Sequence, residues 1–308
     1  MNVGVIGTGM MGKNHARVYS ELKGVKEIYF FDLDKANAAE MIELGAVACD
    51  SIKGLLDNVD AASICIPTKY HFEVAKEAIE ENIHCMIEKP IALSVKDGEK
   101  LVDLAKTRDL VIGVGHIERF NPIIKEIGKI IKNPFFVEIR RHNPASSRII
   151  DSSVVEDLMI HDIDIVFNVF FGMENYTIYS AGNRDVCKAL ISFNDSVVSL
   201  SASRRAAKKI RTIYIEDEDF TIEGDLMTQE IYIYKKPQLY ALEKGKYTQE
   251  NIIERVLINK LEPLKVELQT FIDCIERNIE FPITPEQALN NLRICEKIKN
   301  GLGRTTFV

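Results

Sequence analysis

Val3-Gly4-Val5-Ile6-Gly7-Thr8-Gly9-Met10-Met11-Gly12 is the stretch that decides the fold. Its first four residues are short and apolar, as expected of a strand in a sheet covered on both faces. The glycines that follow permit a tight turn and bring backbone amides close to an anion at a helix N-terminus. A helical pattern begins after Gly12. Glycines at this spacing are a weak signal alone; strand, turn and helix in this order are the setting a dinucleotide fingerprint requires. Residues Gly7, Thr8, Gly9, Met10, Met11 and Gly12 are therefore candidate cofactor contacts. Asp32 lies 20 residues beyond Gly12, after the apolar run 28–31. A carboxylate there accepts hydrogen bonds from ribose hydroxyls and repels a 2′-phosphate. Leu33 follows it rather than arginine, so NAD is expected over NADP. Alternatively Asp32 caps the next helix, a task Asp34 can also perform.

Outward from this stretch, strand and helix patterns alternate through the first 115 residues. Strands are expected at 3–6, 27–31, 46–49, 61–66, 83–87 and 110–114, with helices between them, for example at 72–81 and 95–107. That alternation predicts an α/β fold, a Rossmann-type doubly wound parallel sheet. The pattern then changes. A helix follows Pro122, a strand is expected at 135–140, a loop at 142–153 and a helix at 154–171. Consecutive strand patterns follow at 176–180, 186–193, 197–201, 210–216, 220–223 and 230–234. They predict a C-terminal α+β domain on a mainly antiparallel sheet. Residues 235–261 are charged and resist assignment. Closing helices are expected at 263–277 and 285–299, the latter opened by Thr284-Pro285-Glu286-Gln287, a capping box with proline at the first helical position. Domains at 1–116 and 117–308 follow.

The chain has 308 residues, long enough for two cores. Its net charge of -7 argues against nucleic acid or an anionic membrane as partner. No apolar run approaches membrane-spanning length. The N-terminus enters a strand directly, with no signal-peptide pattern. The six cysteines are scattered, and Cys65 and Cys85 sit in apolar strand runs, which fits buried thiols in a reducing cytoplasm.

Two further groups carry chemistry. Ile87-Glu88-Lys89-Pro90 places a lysine just past the carboxyl end of an apolar strand, where open α/β sheets bind ligands. The loop holding Pro67 and Thr68 faces the same end. His71 nearby either reaches the cofactor or merely starts the next helix. Asp157-Leu158-Met159-Ile160-His161 puts a carboxylate and an imidazole four apart, on one helix face. A metal site lacks further ligands at suitable spacing, and a plain solvated face is opposed by the apolar neighbours. The third reading is an acid/base pair, with Asp157 orienting His161. The basic run 204–211 reads as a solvated hairpin turn between strands or, alternatively, as a subunit contact.

Gly7–Gly12, Glu88-Lys89-Pro90, Arg119-Phe120-Asn121-Pro122 and Asp157–His161, in this order, resemble the glucose–fructose oxidoreductase and inositol dehydrogenase family (Gfo/Idh/MocA). The resemblance covers nearly the whole chain. It implies a catalytic trio of Lys89, Asp157 and His161, with Glu88 and Lys89 closing a cofactor cleft. It also implies a cis peptide before Pro90, a last helix that packs back near the first domain, and a homo-oligomer paired through sheet faces. Met159 stands where the family often has glycine. Residues 115–122 and 157–164 are most similar to a nucleotide-sugar branch, the UDP-N-acetylglucosamine 3-dehydrogenases. That likeness implies a UDP-sugar substrate, with Asn121 and Asp164 among the substrate contacts. Arg119, Arg140, Arg141, His142 and Arg148 are cations suited to a diphosphate; alternatively Arg140 and Arg141 form an exposed strand edge.

Overall fold

The structure, a computed structural model, describes residues 1–34, 38–144, 152–173, 175–237, 240–243 and 246–302. Arg148 lies outside the described residues. The chain divides into two units, Met1–Phe120 with Glu262–Arg293, and Asn121–Leu261 with Ile294–Val308.

The first unit begins β1 (Val3–Ile6), α1 (Met10–Glu21), β2 (Ile28–Phe31), α2 (Ala38–Glu43), β3 (Val47–Ala48), α3 (Ile52–Leu56), β4 (Ala61–Ile64), α4 (His71–Glu80), β5 (His84–Glu88), α5 (Val95–Lys106) and β6 (Ile112–Gly115). Its six strands are ordered β3-β2-β1-β4-β5-β6, every pairing parallel. All four residues of β1 and of β4 are buried, as strands between two helical layers must be. Ile6 pairs with Phe31 and with Ile64, and Ile64 with Ile87, so the four central strands end level with one another. The segment from Glu262 returns to this unit because Leu264, Leu268, Phe271, Ile272 and Phe281 join its core.

The second unit opens with α6 (Pro122–Ile130) and β7 (Phe136–His142). A helical stretch follows, with α7 (Ile160–Ile165) between two π-helical turns, Val155–Met159 and Val166–Phe170. Next come β8 (Tyr176–Gly182), β9 (Val186–Phe193), β10 (Ser196–Ser203), β11 (Ile210–Glu216), β12 (Phe220–Asp225), β13 (Glu230–Lys235), β14 (Tyr240–Glu243), β15 (Lys246–Gln249) and β16 (Ile253–Val256). The eight-stranded sheet is ordered β16-β13-β12-β11-β7-β10-β9-β8, while β14 and β15 pair as a separate ladder. It is mainly antiparallel, as expected, with one exception: β7 inserts between β10 and β11 and runs parallel to β10. The 204–211 run is thus not a hairpin turn, because the chain crosses β7 there. Arg204 is buried and donates to the Ser152 carbonyl, so that run is not simply solvated either.

The last two helices are α8 (Pro263–Arg277) and α9 (Pro285–Gly301). Asn278, in the left-handed region at φ 51°, closes α8. Thr284 Oγ1 accepts the Gln287 N–H at 3.3 Å, the bond expected of the capping box. Ala288 and Leu292 of α9 belong to the first core, and Ile294, Cys295 and Ile298 to the second. Among the described residues, no helix is long and apolar enough to cross a membrane.

Candidate active site

In the first unit the level strand ends bring the expected cofactor residues together. Gly7 follows β1 with φ +88°, a conformation other residues rarely adopt. A Cβ at Gly12 would lie 1.8 Å from the Gly7 carbonyl oxygen, so only glycine lets α1 start this close to the loop. Around Gly9, the N-cap of α1, nothing lies within 4 Å of such a Cβ. The start of this twelve-residue helix thus has open space beside Gly9, which suits a pyrophosphate. Met10 stands exposed beside the loop, and Met11 packs partly against the core.

Asp32 follows β2. One carboxylate oxygen accepts the Thr8 N–H at 2.5 Å and the Thr8 hydroxyl at 2.8 Å; the other accepts the Asp34 N–H at 2.8 Å. Partial burial pulls its pKa upward, but these bonds outweigh that and hold it below its usual value. The loop therefore faces a fixed negative charge, as binding a ribose diol requires. These residues fit a dinucleotide.

Pro67 and Thr68 follow β4 and lead through a 3₁₀ turn, Thr68–Tyr70, into α4. His71 begins that helix and is buried. Its Nδ1 lies 2.8 Å from the Pro90 carbonyl oxygen and its Nε2 2.8 Å from that of Ile66. The ring thus ties the loop after β4 to the chain after β5. Burial lowers its pKa, offset in part by the two carbonyls and by Glu88.

Glu88 ends β5 and is buried. Its Oε1 is 3.1 Å from His15 Nε2, and its Oε2 accepts the Lys89 N–H at 3.3 Å. Burial alone would raise its pKa. The His15 bond and the charges of His15, Lys89 and His71 prevail, and the carboxyl sits below its usual range. Lys89 is half-buried, and the Lys89–Pro90 peptide is cis.

In the second unit Ser153 N–H and Oγ–H both donate to Glu156 Oε2, at 3.1 and 3.0 Å. This Ser-x-x-Glu signal, unremarked in the sequence reading, sets the start of the helical stretch. Asp157 lies on the first π turn and His161 on α7, both half-buried. Leu158, Met159, Ile160 and Ile163 are buried in the core. Met159, the departure from the family pattern, therefore packs inward.

Several expected substrate contacts are engaged elsewhere. Arg141 is neither exposed at a strand edge nor held out to a phosphate. It is 1% exposed, and its Nε and Nη2 grip the equally buried Asp162 at 2.7–3.1 Å. Asn121 is buried, caps α6 by accepting the Ile123 N–H at 3.3 Å, and donates to the Leu226 carbonyl. Asp164 is buried and accepts from Asn168 at 3.1 Å. Arg119 is half-buried and donates to the Pro282 carbonyl and to Gln287 at 3.1 and 2.6 Å. His142 is half-buried with Nε2 2.9 Å from Ser201 Oγ; burial, then the Arg140 charge, lowers its pKa. Arg140 is exposed. Among the described residues no three His, Cys, Asp or Glu side chains gather as metal ligands.

Comparison with known proteins agrees with this fold. Residues 1–116 match the Gfo/Idh/MocA oxidoreductase family, described by its NAD-binding Rossmann fold. The chain is 33% identical to the UDP-N-acetylglucosamine 3-dehydrogenase of Acidithiobacillus ferrooxidans, over 89% of this chain and 88% of that protein. A solved structure of that enzyme matches with a TM-score of 0.84 at 27% identity, covering 98% of this chain and 97% of that one. Levoglucosan dehydrogenase, solved with NADH and levoglucosan, matches at a TM-score of 0.81 and 18% identity over 98% and 96% of the two chains, a likeness of fold alone. With a relative this similar along its length and dinucleotide-loop geometry in its first unit, the chain belongs to the Gfo/Idh/MocA oxidoreductases, a family of sugar dehydrogenases that act on CH–OH groups with NAD(P).

Proposed function

We propose that this chain oxidises the 3-hydroxyl of UDP-N-acetylglucosamine to the 3-keto sugar, using NAD. The observation that carries the substrate is the 33% identity to the Acidithiobacillus ferrooxidans enzyme across most of both chains. The ionised Asp32 beside the glycine loop supports NAD over NADP. When bound, the nicotinamide supplies the acceptor for the hydride leaving the sugar carbon. His161, oriented by Asp157, takes the hydroxyl proton. Lys89 stabilises the developing alkoxide or exchanges that proton itself. Pro67, Thr68 and Glu88 complete the cofactor contacts in this reading, while His71 holds the loop. Arg119, His142 and Arg148 remain candidates for the diphosphate, whereas Arg141, Asn121 and Asp164 serve the framework. Exposed Tyr179, Leu190 and Val197 on neighbouring strands β8, β9 and β10 support pairing of two copies through the sheet face. Six free thiols support a reducing, cytoplasmic setting.

The test is the rise in absorbance at 340 nm when purified protein meets NAD⁺ with UDP-N-acetylglucosamine, other UDP-sugars, free aldoses and inositol. Turnover of the first, with free N-acetylglucosamine far poorer, is the expected result. Turnover of free sugars or inositol alone would move the substrate elsewhere within the family. No turnover of any sugar, with NAD still bound, would favour a redox sensor.

A further inference from the structure

Beneath the Glu88–Lys89 corner runs a polar chain that the roles above leave unused. Tyr19 Oη is 2.7 Å from Ser63 Oγ, Ser63 Oγ is 3.0 Å from His15 Nδ1, and His15 Nε2 is 3.1 Å from Glu88 Oε1. All four side chains are buried within the first unit. With the His15 imidazole neutral, the hydrogen-bond directions close in one sense. An ionised Glu88 only accepts, so His15 carries its proton on Nε2. His15 Nδ1 then accepts from the Ser63 hydroxyl, which accepts from Tyr19. Burial raises the Tyr19 phenol far above its usual range, so it keeps the proton it donates. Space for the carboxylate is left by Gly115, paired with Glu88 across β5 and β6, where a Cβ would lie 3.1 Å from Oε1.

The placement of the partners matters. His15 lies on α1, the helix opened by the glycine loop. Ser63 lies on β4, and Glu88 closes β5 one residue before Lys89. Buried polar groups cost free energy unless every member is satisfied, and a satisfied network fixes its members in one arrangement. The second Glu88 oxygen already accepts the Lys89 N–H. We propose that His15 is a positioning residue for Lys89: by clamping Glu88 it fixes the backbone from which the lysine side chain departs, and it ties that backbone to the helix opened by the glycine loop. This rests on the reading of Lys89 as a reacting residue.

The test compares the wild-type chain with His15→Ala, His15→Gln and Ser63→Ala. Amide exchange at Lys89, followed by NMR, should be about tenfold faster in His15→Ala, with Met86 in mid-β5 unchanged. His15→Gln, which retains an N–H donor, should restore much of the protection. Ser63→Ala removes one hydroxyl and should act in the same direction more weakly, which keeps the test alive if His15→Ala does not fold. Turnover of the sugar in His15→Ala should fall roughly 10–100-fold with KM and NAD affinity little changed. In a Lys89→Ala background the same substitution should cost nothing further. Unchanged exchange at Lys89 in these variants overturns the proposal. So does a turnover loss of equal size with and without Lys89. If the wild type oxidises no sugar, the proposed function fails, and the exchange measurement alone decides the positioning role.

Discussion

Replacing Arg141 by leucine removes one half of an ion pair buried in the second unit. The two partners are 1% and 0% exposed, and three nitrogen–oxygen contacts of 2.7–3.1 Å join them. After the substitution the Asp162 carboxylate, fully buried, loses that guanidinium. Breaking such a pair from one side costs about 3–5 kcal/mol. Domain stabilities are about 5–15 kcal/mol, so the loss is about a fifth or more of the total. With a urea slope of about 2–3 kcal/mol/M, the unfolding midpoint of this unit should fall by roughly 1–2 M. The double substitution Arg141→Met/Asp162→Leu removes both charges and should recover most of the loss. The assay is urea unfolding followed by circular dichroism, with the two units' transitions fitted separately. A single-substitution cost below about 1 kcal/mol, or a double variant no more stable than the single, refutes the reasoning. Were Arg141 instead a diphosphate grip, Arg141→Lys would raise KM for the UDP-sugar and leave the midpoint alone.

Gly12→Ala should weaken NAD binding by about 10–100-fold in calorimetric titration, because the new Cβ meets the Gly7 carbonyl oxygen at 1.8 Å. Asp32→Asn should narrow the preference for NAD over NADP by roughly 2 kcal/mol, about 30-fold; equal affinities in the wild type would remove Asp32 from cofactor choice. Lys89→Ala and His161→Ala should each lower turnover by roughly 10²–10⁴ with NAD affinity near wild type, and Asp157→Asn by less. His71 has a folded-state pKa below its ordinary value, chiefly through burial, with Glu88 and Lys89 the charged groups that act on it. As pH falls through the ordinary imidazole range, the unfolded chain therefore takes up a proton that folded His71 resists, and stability declines. His71→Gln should flatten that decline in melting temperature measured between neutral and mildly acidic pH.

The first unit was legible almost whole. Its strands are short apolar runs, each separated by a helical pattern, and a parallel sheet is the arrangement such a chain can cover on both faces. The second unit was legible in composition of elements but not in their order. The position of β7 between β10 and β11 depends on pairing residues 61–80 apart in sequence, and no local period encodes it. The helix expected at 154–171 is present, but its π turns are not written in its period. Residues 235–261 defeated assignment because β16 is an exposed edge strand, and Ile253 and Leu257 point to no core. The alternation in β7 did hold a signal that went unused. Val137, Ile139 and Arg141 share the inward face, which places the arginine inside and calls for an acid partner. The face of α1 formed by Gly12, His15, Ala16 and Tyr19 held another, since a histidine and a tyrosine sit at its core positions.

Both unused signals lead to the same construction. In the first unit the residue before Lys89 is a buried carboxylate, Glu88, held by the imidazole of His15. In the second unit the residue after His161 is a buried carboxylate, Asp162, held by the guanidinium of Arg141. A reacting side chain must be half-exposed to meet its substrate, and half-exposed side chains have few contacts to fix them. Anchoring the adjacent residue transfers rigidity through one peptide bond without covering the reacting group. An apolar neighbour can fill the same space, but its contacts are non-directional, whereas a bidentate or doubly bonded carboxylate fixes orientation as well. If His161 takes the hydroxyl proton as proposed, Arg141→Leu should therefore slow turnover as well as lower the unfolding midpoint, and the Arg141→Met/Asp162→Leu pair should recover stability more fully than turnover. Equal recovery of both would reduce the ion pair to a packing element and leave His161 to be positioned by the helix alone.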